Sequence, residues 1–411
     1  IPKIRFMNFN DKWKYIILGE ISNSIEYGLN AAAKDFDGIH KYLRITDIDE
    51  SSRLFLTDKL SSPDVNFTEE DYENYKLKKN DLLFARTGAS VGKTYLYRES
   101  DGEVYYAGFL IRARLRDSFD GNFVFQQTLT DKYKQFIEIT SQRSGQPGVN
   151  GKEYGEWKIG MTSYHEQSAI GSFFSTLDDL LASYKDNLAN YQSLKVTMLS
   201  KMFPKAGQTV PEIRLDGFEG EWEVQTLKEL ASFSKGNGYT KNDLVNSGKE
   251  IILYGRLYTN YQTVISKVNT FVTTVKANTV VSKGGEVIVP ASGESAEDIS
   301  RASVVEKSGV ILGGDLNIIY PDENKVNSIF LALTISNGSQ QKELIKRAQG
   351  KSVVHLRNND LEKVVLHYPS MEEQQAIGSY FSNLDNLINS HQEKITQLET
   401  LKKKLLQDMF I

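Results

Sequence analysis

The residue groups in this 411-residue chain that could carry chemistry are few. Gly88-Ala-Ser-Val-Gly92-Lys93-Thr94 comes nearest to a phosphate-gripping loop. That chemistry needs G-x-x-x-x-G-K-[ST] leading straight into a helix, so that backbone N–H groups converge on the anion. Here Thr87 stands where the first glycine belongs, and the following Tyr95-Leu96-Tyr97 favours a strand. A nucleotide loop is therefore not expected, and a turn with Arg86 and Lys93 beside it suits the phosphates of DNA better. The five histidines, His40, His165, His355, His367 and His391, have no metal-ligand spacing. His391 falls in a helical seam, where packing is the expected role. Pro63-Asp64 could open a metal-nuclease motif, but the nearest Glu-x-Lys triplet is Glu156-Trp157-Lys158, too far along the chain. Lys235-Gly236-Asn237-Gly238 holds only a lone G-x-G. The eight prolines are all isolated, so there is no Pro-Pro loop of the kind that holds a flipped adenine for methylation. No convincing acid/base pair stands out, and the chain reads as a non-catalytic recognition part.

Polar donors are a different matter. Arg112, Arg114 and Arg116 alternate through a strand-like run, which puts them on one face. Two readings stay open: a solvated sheet face, or a stripe that contacts phosphates. Arg143 and Gln146 lie in a loop before Pro147, with Lys152 just beyond. Arg347, Gln349, Lys351 and Arg357 occupy the corresponding place near residue 350, and Ser292 and Arg301 add donors upstream. Arg and Gln make bidentate contacts to guanine and adenine edges, and loop positions leave them free to reach a groove.

The elements that must position these residues occur twice. HEQSAIGSFFSTLDDLL begins at His165, and EEQQAIGSYFSNLDNLI begins 207 residues later at Glu372. IPKIRFMNFNDKW at Ile1 returns as VPEIRLDGFEGEW at Val210. Asp81 precedes Gly88 by the seven residues that separate Glu286 from Gly293. Between such anchors the copies diverge, as two specificities on one scaffold would require. Strand-like, turn-punctuated sequence fills residues 1–160 and 208–368, and helical sequence fills 161–203 and 369–411. The helix of the first copy stops at Phe203-Pro204-Lys205-Ala206-Gly207.

Each helical segment carries a seam at three- and four-residue steps. The first runs Phe174, Leu177, Leu181, Tyr184, Leu188, Tyr191, Lys195, Met198, Met202. The second runs Phe381, Leu384, Ile388, His391, Ile395, Leu398, Lys402, Leu405, Met409. Neither helix can bury such a seam alone, so each is the expected partner of the other. Lys195 and Lys402 interrupt the seams at equivalent positions. The favoured reading lets Leu194 and Leu401 take over while Lys snorkels outward; the alternative is a polar position that sets register.

With 40% apolar residues the chain is expected to fold, in two domains. It has no cysteine, which excludes disulfides and thiolate chemistry and fits a reducing cytoplasm. A net charge of −4 argues against a protein that coats nucleic acid everywhere, but leaves local contacts open. No membrane contact is expected. An adaptor binding two other proteins across a coiled-coil spacer would fit these features too.

The doubled EQxAIGSxFSxLD helix starts, the PxIRxxxFxxxW openings and the two acid-to-glycine segments resemble the specificity subunit of type I restriction–modification systems. The resemblance covers essentially the whole chain, and the recurrence of the helix start at half-length spacing makes it specific. It implies an α+β fold with two mixed α/β target recognition domains. Two long antiparallel coiled-coil helices would separate them, with pseudo-two-fold symmetry from the duplication. It also implies a cytoplasmic subunit that reads bipartite double-stranded DNA and docks two modification subunits, which use S-adenosylmethionine to methylate adenine at N6. Restriction subunits, using ATP and Mg, complete the nuclease; no cofactor falls to this chain. Partner docking and spacing would rest on Glu166, Gln167, Ile170, Phe174 and Leu177, and on Glu373, Gln374, Ile377, Phe381 and Leu384.

Overall fold

Each copy of the repeat is closed by an antiparallel strand pair that brings its beginning to its end. In the first copy Lys14–Ile17 pairs with Lys158–Met161, and in the second Glu223–Thr226 pairs with Val365–Tyr368. A long helix leaves each closure at once: Tyr164–Lys201 and Met371–Met409. The computed structural model describes residues 2–350 and 353–410. It divides into two units, residues 1–186 with 392–411, and residues 187–391. Among the described residues no helix is long and apolar enough to cross a membrane.

In the first unit the central sheet is antiparallel, in the order Ser22–Tyr27, Leu110–Leu115, Asp81–Ala85, Thr94–Leu96. Asp81–Ala85 is buried along its whole length, and after its leading acid its side chains are apolar on both faces. Its leading acid has a structural task. The Asp81 carboxylate accepts the Lys78 N–H at 2.8 Å, closing the turn that feeds the strand. Glu286 repeats this in the second unit, accepting from the backbone N–H groups of Lys283 and Gly284. There the larger sheet runs Ala231–Lys235, Leu316–Pro321, Glu286–Pro290, Ser303–Val305, Val264–Ile265. A second sheet of four strands is centred on the parallel pair Lys249–Ile252 and Ile311–Leu312; the first unit has the matching parallel pair Lys41–Leu43 and Val104–Tyr106, without flanking strands among the described residues.

The helical seams fall where the spacing puts them. In the first unit the early half of the first helix packs antiparallel to the late half of the second: Lys402 pairs with Asp178 at 2.5 Å, and Lys185 with Glu399 at 2.8 Å. In the second unit Lys195 pairs with Asp385, and Tyr191 meets His391 edge-on at 5.2 Å. His391 is thus a packing residue, as expected. The favoured reading of the two seam lysines does not hold. Leu194 and Leu401 are 40% and 46% exposed, while each lysine stays in the seam against an aspartate of the opposite helix. A shallow two-helix seam leaves room for a lysine to reach across it, and a facing carboxylate makes that cheaper than turning outward.

Each helix also ends in an aromatic plug. Phe410 packs among Trp13, Phe123 and Phe174, with ring centroids 5.4–6.2 Å away. Phe203 packs in the same way among Trp222, Phe330 and Phe381. Burial of each such ring contributes roughly 2–3 kcal/mol.

Candidate nucleic-acid interface

The preserved helix starts turn out to be latches. Glu166, fully buried, accepts two hydrogen bonds of 2.6 Å from Arg5 in the domain opening, and Thr162 donates a third. Glu373 accepts from Arg214 at 2.8 and 2.6 Å. The next residue is as constrained. The Gln167 side chain accepts from Asp120 N–H and donates to Thr162 O; Gln374 accepts from Asn327 N–H and donates to Pro369 O and Lys325 O. Asp120 and Asn327 in turn cap the helices Gly121–Gln127 and Ser328–Ile335. The repeated motif thus ties opening, inner helix and long helix at one point.

This corrects the docking expectation. Glu166, Gln167, Ile170, Phe174, Leu177, Glu373, Gln374, Ile377, Phe381 and Leu384 are all at most 7% exposed, spent on their own unit. Off the seam, Phe173, Leu180, Val196 and Leu387 are 37–70% exposed.

The arginine stripe is also corrected. Arg112 is 1% exposed; it pairs with Glu26, donates to Asn74 O at 2.6 Å and lies over the Tyr106 ring. Arg114 holds Asp81 with two bonds of 2.8 Å, and the carboxylate raises its pKa further. The Arg116 Nε–H points at Ser22 O. A sheet face covered by neighbouring segments needs carboxylate partners for its arginines, and Glu26 and Asp81 supply them. Neither open reading, solvated face or phosphate stripe, describes Arg112 and Arg114, whereas Arg116 is exposed. Lys93 is likewise turned inward, bonded to Glu50 at 2.8 Å and to Ile48 O at 3.1 Å, its side chain only 10% exposed. The strand after it runs Thr94–Leu96, so no phosphate loop forms.

The other sequence candidates of the first unit do come together. The buried strand Asp81–Ala85 delivers Arg86 at its exit. Gly88, with φ of 72°, then starts a tight turn that a residue with a side chain would strain. Gly88 N–H donates to Pro147 O at 3.0 Å and Val149 N–H to Arg86 O at 2.9 Å, so the turn lies beside the loop that carries Arg143 and Gln146. Gln146 is exposed, and Arg143 is held by Glu153 and by two carbonyls. Lys152 is exposed on the short helix Gly151–Gly155, whose first N–H donates to the Tyr27 hydroxyl at 3.1 Å. The Arg86 guanidinium lies 5.1 Å from the Tyr27 ring centre and 6.0 Å from that of Phe109. Tyr27 and Phe109 are 45% and 63% exposed. Sequence reasoning missed both; the one signal was an aromatic residue directly after a glycine, at a bend between strands.

The second unit builds the same frame with other side chains. Arg86 N–H donates to Phe109 O, and at the equivalent place Ala291 N–H donates to Asp315 O. Val149 N–H to Arg86 O has its match in Leu356 N–H to Ala291 O, and Gly28 N–H to Leu110 O in Gly236 N–H to Leu316 O. Where the first unit has Tyr27, Arg86 and Phe109, the second therefore has Lys235, Ala291 and Asp315. Ser292 is buried and donates to Asp315 at 3.1 Å. Gln349 is exposed, its backbone bonded both ways to His355. Arg357 is exposed at the start of the helix Asn358–Leu361. Arg347 is paired with Glu343 at 2.6 Å. Arg301 lies 5.6 Å from the Tyr261 ring centre and lines a cavity of about 230 Å³ with Lys195 and Leu199 of the first long helix. Lys351 lies outside the described residues.

Comparison with known proteins points one way. The profile of the type I restriction modification DNA specificity domain matches residues 10–190 and again 219–400. The type I restriction enzyme MjaVIII specificity subunit of Methanocaldococcus jannaschii is 20% identical over 96% of this chain and 91% of its own length. The MjaX specificity subunit, putative in name, from the same organism is 22% identical over 96% and 92%. The crystal structure of the S subunit of a type I restriction-modification system from M. genitalium superposes with a TM-score of 0.66 at 15% identity, over 100% of this chain and 99% of that one. The chain is a member of the type I restriction modification DNA specificity family and carries its domain twice.

Proposed function

We propose that this chain is the non-catalytic DNA-reading subunit of a type I restriction–modification complex. Each unit reads one half of an asymmetric bipartite duplex target. The paired helices set the unread gap and carry the modification subunits, which bind S-adenosylmethionine and methylate one adenine at N6 in each half. Restriction subunits join the same assembly.

One observation carries this reading. The backbone hydrogen bonds that present residues 27, 86 and 109 recur in the second unit, while the side chains presented change from Tyr, Arg and Phe to Lys, Ala and Asp. A frame kept while its displayed chemistry is exchanged is what two readers of different half-sites need. Phosphate contacts would supply affinity and position, and base-edge contacts the sequence choice. The exposed apolar residues along the long helices offer the modification subunits a surface away from the loops.

The test is equilibrium binding to duplex DNA of the chain assembled with its modification subunits, followed by fluorescence anisotropy at rising salt. An assembly engaging six to ten phosphates should lose about a thousand-fold or more in affinity between 50 and 200 mM salt. Absence of DNA binding at low salt would overturn the reading in favour of a protein adaptor.

A further inference from the structure

We infer that Tyr27, Arg86 and Phe109 form the base-reading site of the first unit: Arg86 takes a guanine edge, and Phe109 takes the methyl group of a neighbouring thymine. The inference rests on the DNA-reading function proposed above and assigns its chemistry to three side chains.

Arg86 stands apart from the other arginines of its unit. Arg5, Arg44, Arg53, Arg98, Arg112, Arg114 and Arg143 each have a carboxylate partner, and Arg116 has a carbonyl. Among the described residues, the Arg86 guanidinium has no hydrogen bond or ion pair and touches two aromatic rings instead. Ring contact fixes the plane of the guanidinium and leaves its N–H fork open. A fixed, open fork fits the O6 and N7 acceptors of guanine, which present two lone-pair sites in one plane. A flexible lysine would serve a phosphate equally well and would need no such holder.

The holder is itself rigid. Arg86 is tied at both backbone groups, its N–H to Phe109 O at 3.1 Å and its carbonyl to Val149 N–H at 2.9 Å. Leu110 N–H donates to Ala107 O at 2.8 Å, closing the bend that carries Phe109. The Tyr27 hydroxyl is fixed by the Gly151 N–H. Little conformational entropy is left to lose on binding. The nearby acids Glu26 and Glu153 are neutralised by Arg112 and Arg143, so the site keeps an open positive charge.

Phe109 is 63% exposed and, beside Tyr27 at 45%, leaves an aromatic surface open to a ligand. A wedge pushed between base pairs needs both ring faces free to stack. Arg86 lies over one face here, which favours contact with an apolar group on the groove wall. In the major groove that group is the thymine C5-methyl. The second unit has Lys235, Ala291 and Asp315 at these places and cannot make the pair of contacts.

The experiment uses the chain assembled with its modification subunits and a duplex bearing its target, as mapped by the methylated adenines. Competition binding ranks duplexes altered one base pair at a time. Arg86→Ala should erase discrimination at one guanine of one half-site, a loss of roughly ten-fold or more, and leave the other half-site unchanged. Arg86→Lys should keep general DNA affinity yet lose the same discrimination. Phe109→Ala should erase the preference for thymine over deoxyuridine at a neighbouring position. Both side chains reach solvent, so folding is checked by melting and should match the parent chain. If Arg86→Lys discriminates like the parent, the fixed planar fork is not what reads the base and the inference fails. It also fails if the two alanine variants keep every base preference while the parent reads its target normally. A parent assembly that binds no DNA would overturn the function proposed above, and this inference with it.

Discussion

Removing Arg5 should destabilise the first unit far more than an ordinary surface substitution. Glu166 is fully buried, and Arg5, with a side chain 15% exposed, gives it two bonds of 2.6 Å. In Arg5→Ala the carboxylate keeps only the Thr162 hydroxyl. Breaking a buried pair from one side leaves an uncompensated charge, at a cost of about 3–5 kcal/mol. Arg5 retains some solvent, so the lower end of that range is expected. For a unit of this size about 3 kcal/mol lowers the melting temperature by roughly 6–12 °C. Hydrogen exchange followed by mass spectrometry locates the effect: amides of the helix Gly121–Gln127 and of the first turns from Tyr164 should lose protection, while those around Arg214 and Glu373 keep theirs. Arg214→Ala should do the reverse. Replacing both partners with apolar residues, as in Arg5→Met with Glu166→Leu, should recover most of the loss, because no orphaned charge remains. A melting shift of less than about 2 °C for Arg5→Ala, or equal loss of protection in both units, would refute the latch.

Three further outcomes follow from particular contacts. Lys402→Met should cost roughly 1–2 kcal/mol by urea unfolding, since Asp178 at 16% exposure loses its charged partner and keeps only the Gln126 amide, and Lys402→Met with Asp178→Leu should recover part of it. Gly171→Ala should destabilise by about 1–3 kcal/mol, because its Cβ would lie 2.3 Å from the Asp120 carboxylate that caps an inner helix. Gly378→Ala should be nearly neutral in the same denaturation assay, its nearest contact being 3.4 Å. Inserting one heptad at matching points of both long helices keeps the seam in phase and adds about 10 Å. Methylation mapping should then report an unread gap about three base pairs longer, at ~3.4 Å per pair; an unchanged gap would remove the helices from the spacing role.

The helical part of the fold was legible because its signal is local and repeated. A three-and-four spacing identifies the buried seam whatever lies opposite, and Phe174, Leu181, Ile395 and Leu398 fall as read. The two seam lysines were misread because their partners, Asp178 and Asp385, lie some two hundred residues away and outside any local pattern. Arg112 failed for a related reason. Alternation places it on one sheet face, but only the packed structure reveals that this face is covered by the segment around Asn74 and neutralised by Glu26 and Asp81. Preservation of Glu166 and Gln167 between the copies marked them as important without saying for what, and burial assigns them to the latch. The loop positions of Arg86, Gln146 and Lys152 were legible from glycine and proline punctuation, but their placement side by side comes only from the packed structure. Phe109 and Tyr27 escaped notice because single aromatic residues next to strands are ordinarily core.

The central claim is that two dissimilar readers share one frame. Its most direct test is single-molecule sequencing of methylated adenines in a host carrying this gene with its modification partner, and in the same host with this gene deleted. The account predicts N6-methyladenine in one asymmetric motif of two short, different half-sites with a constant gap between them, lost on deletion. Methylation confined to a contiguous palindrome, or unchanged by the deletion, would contradict it.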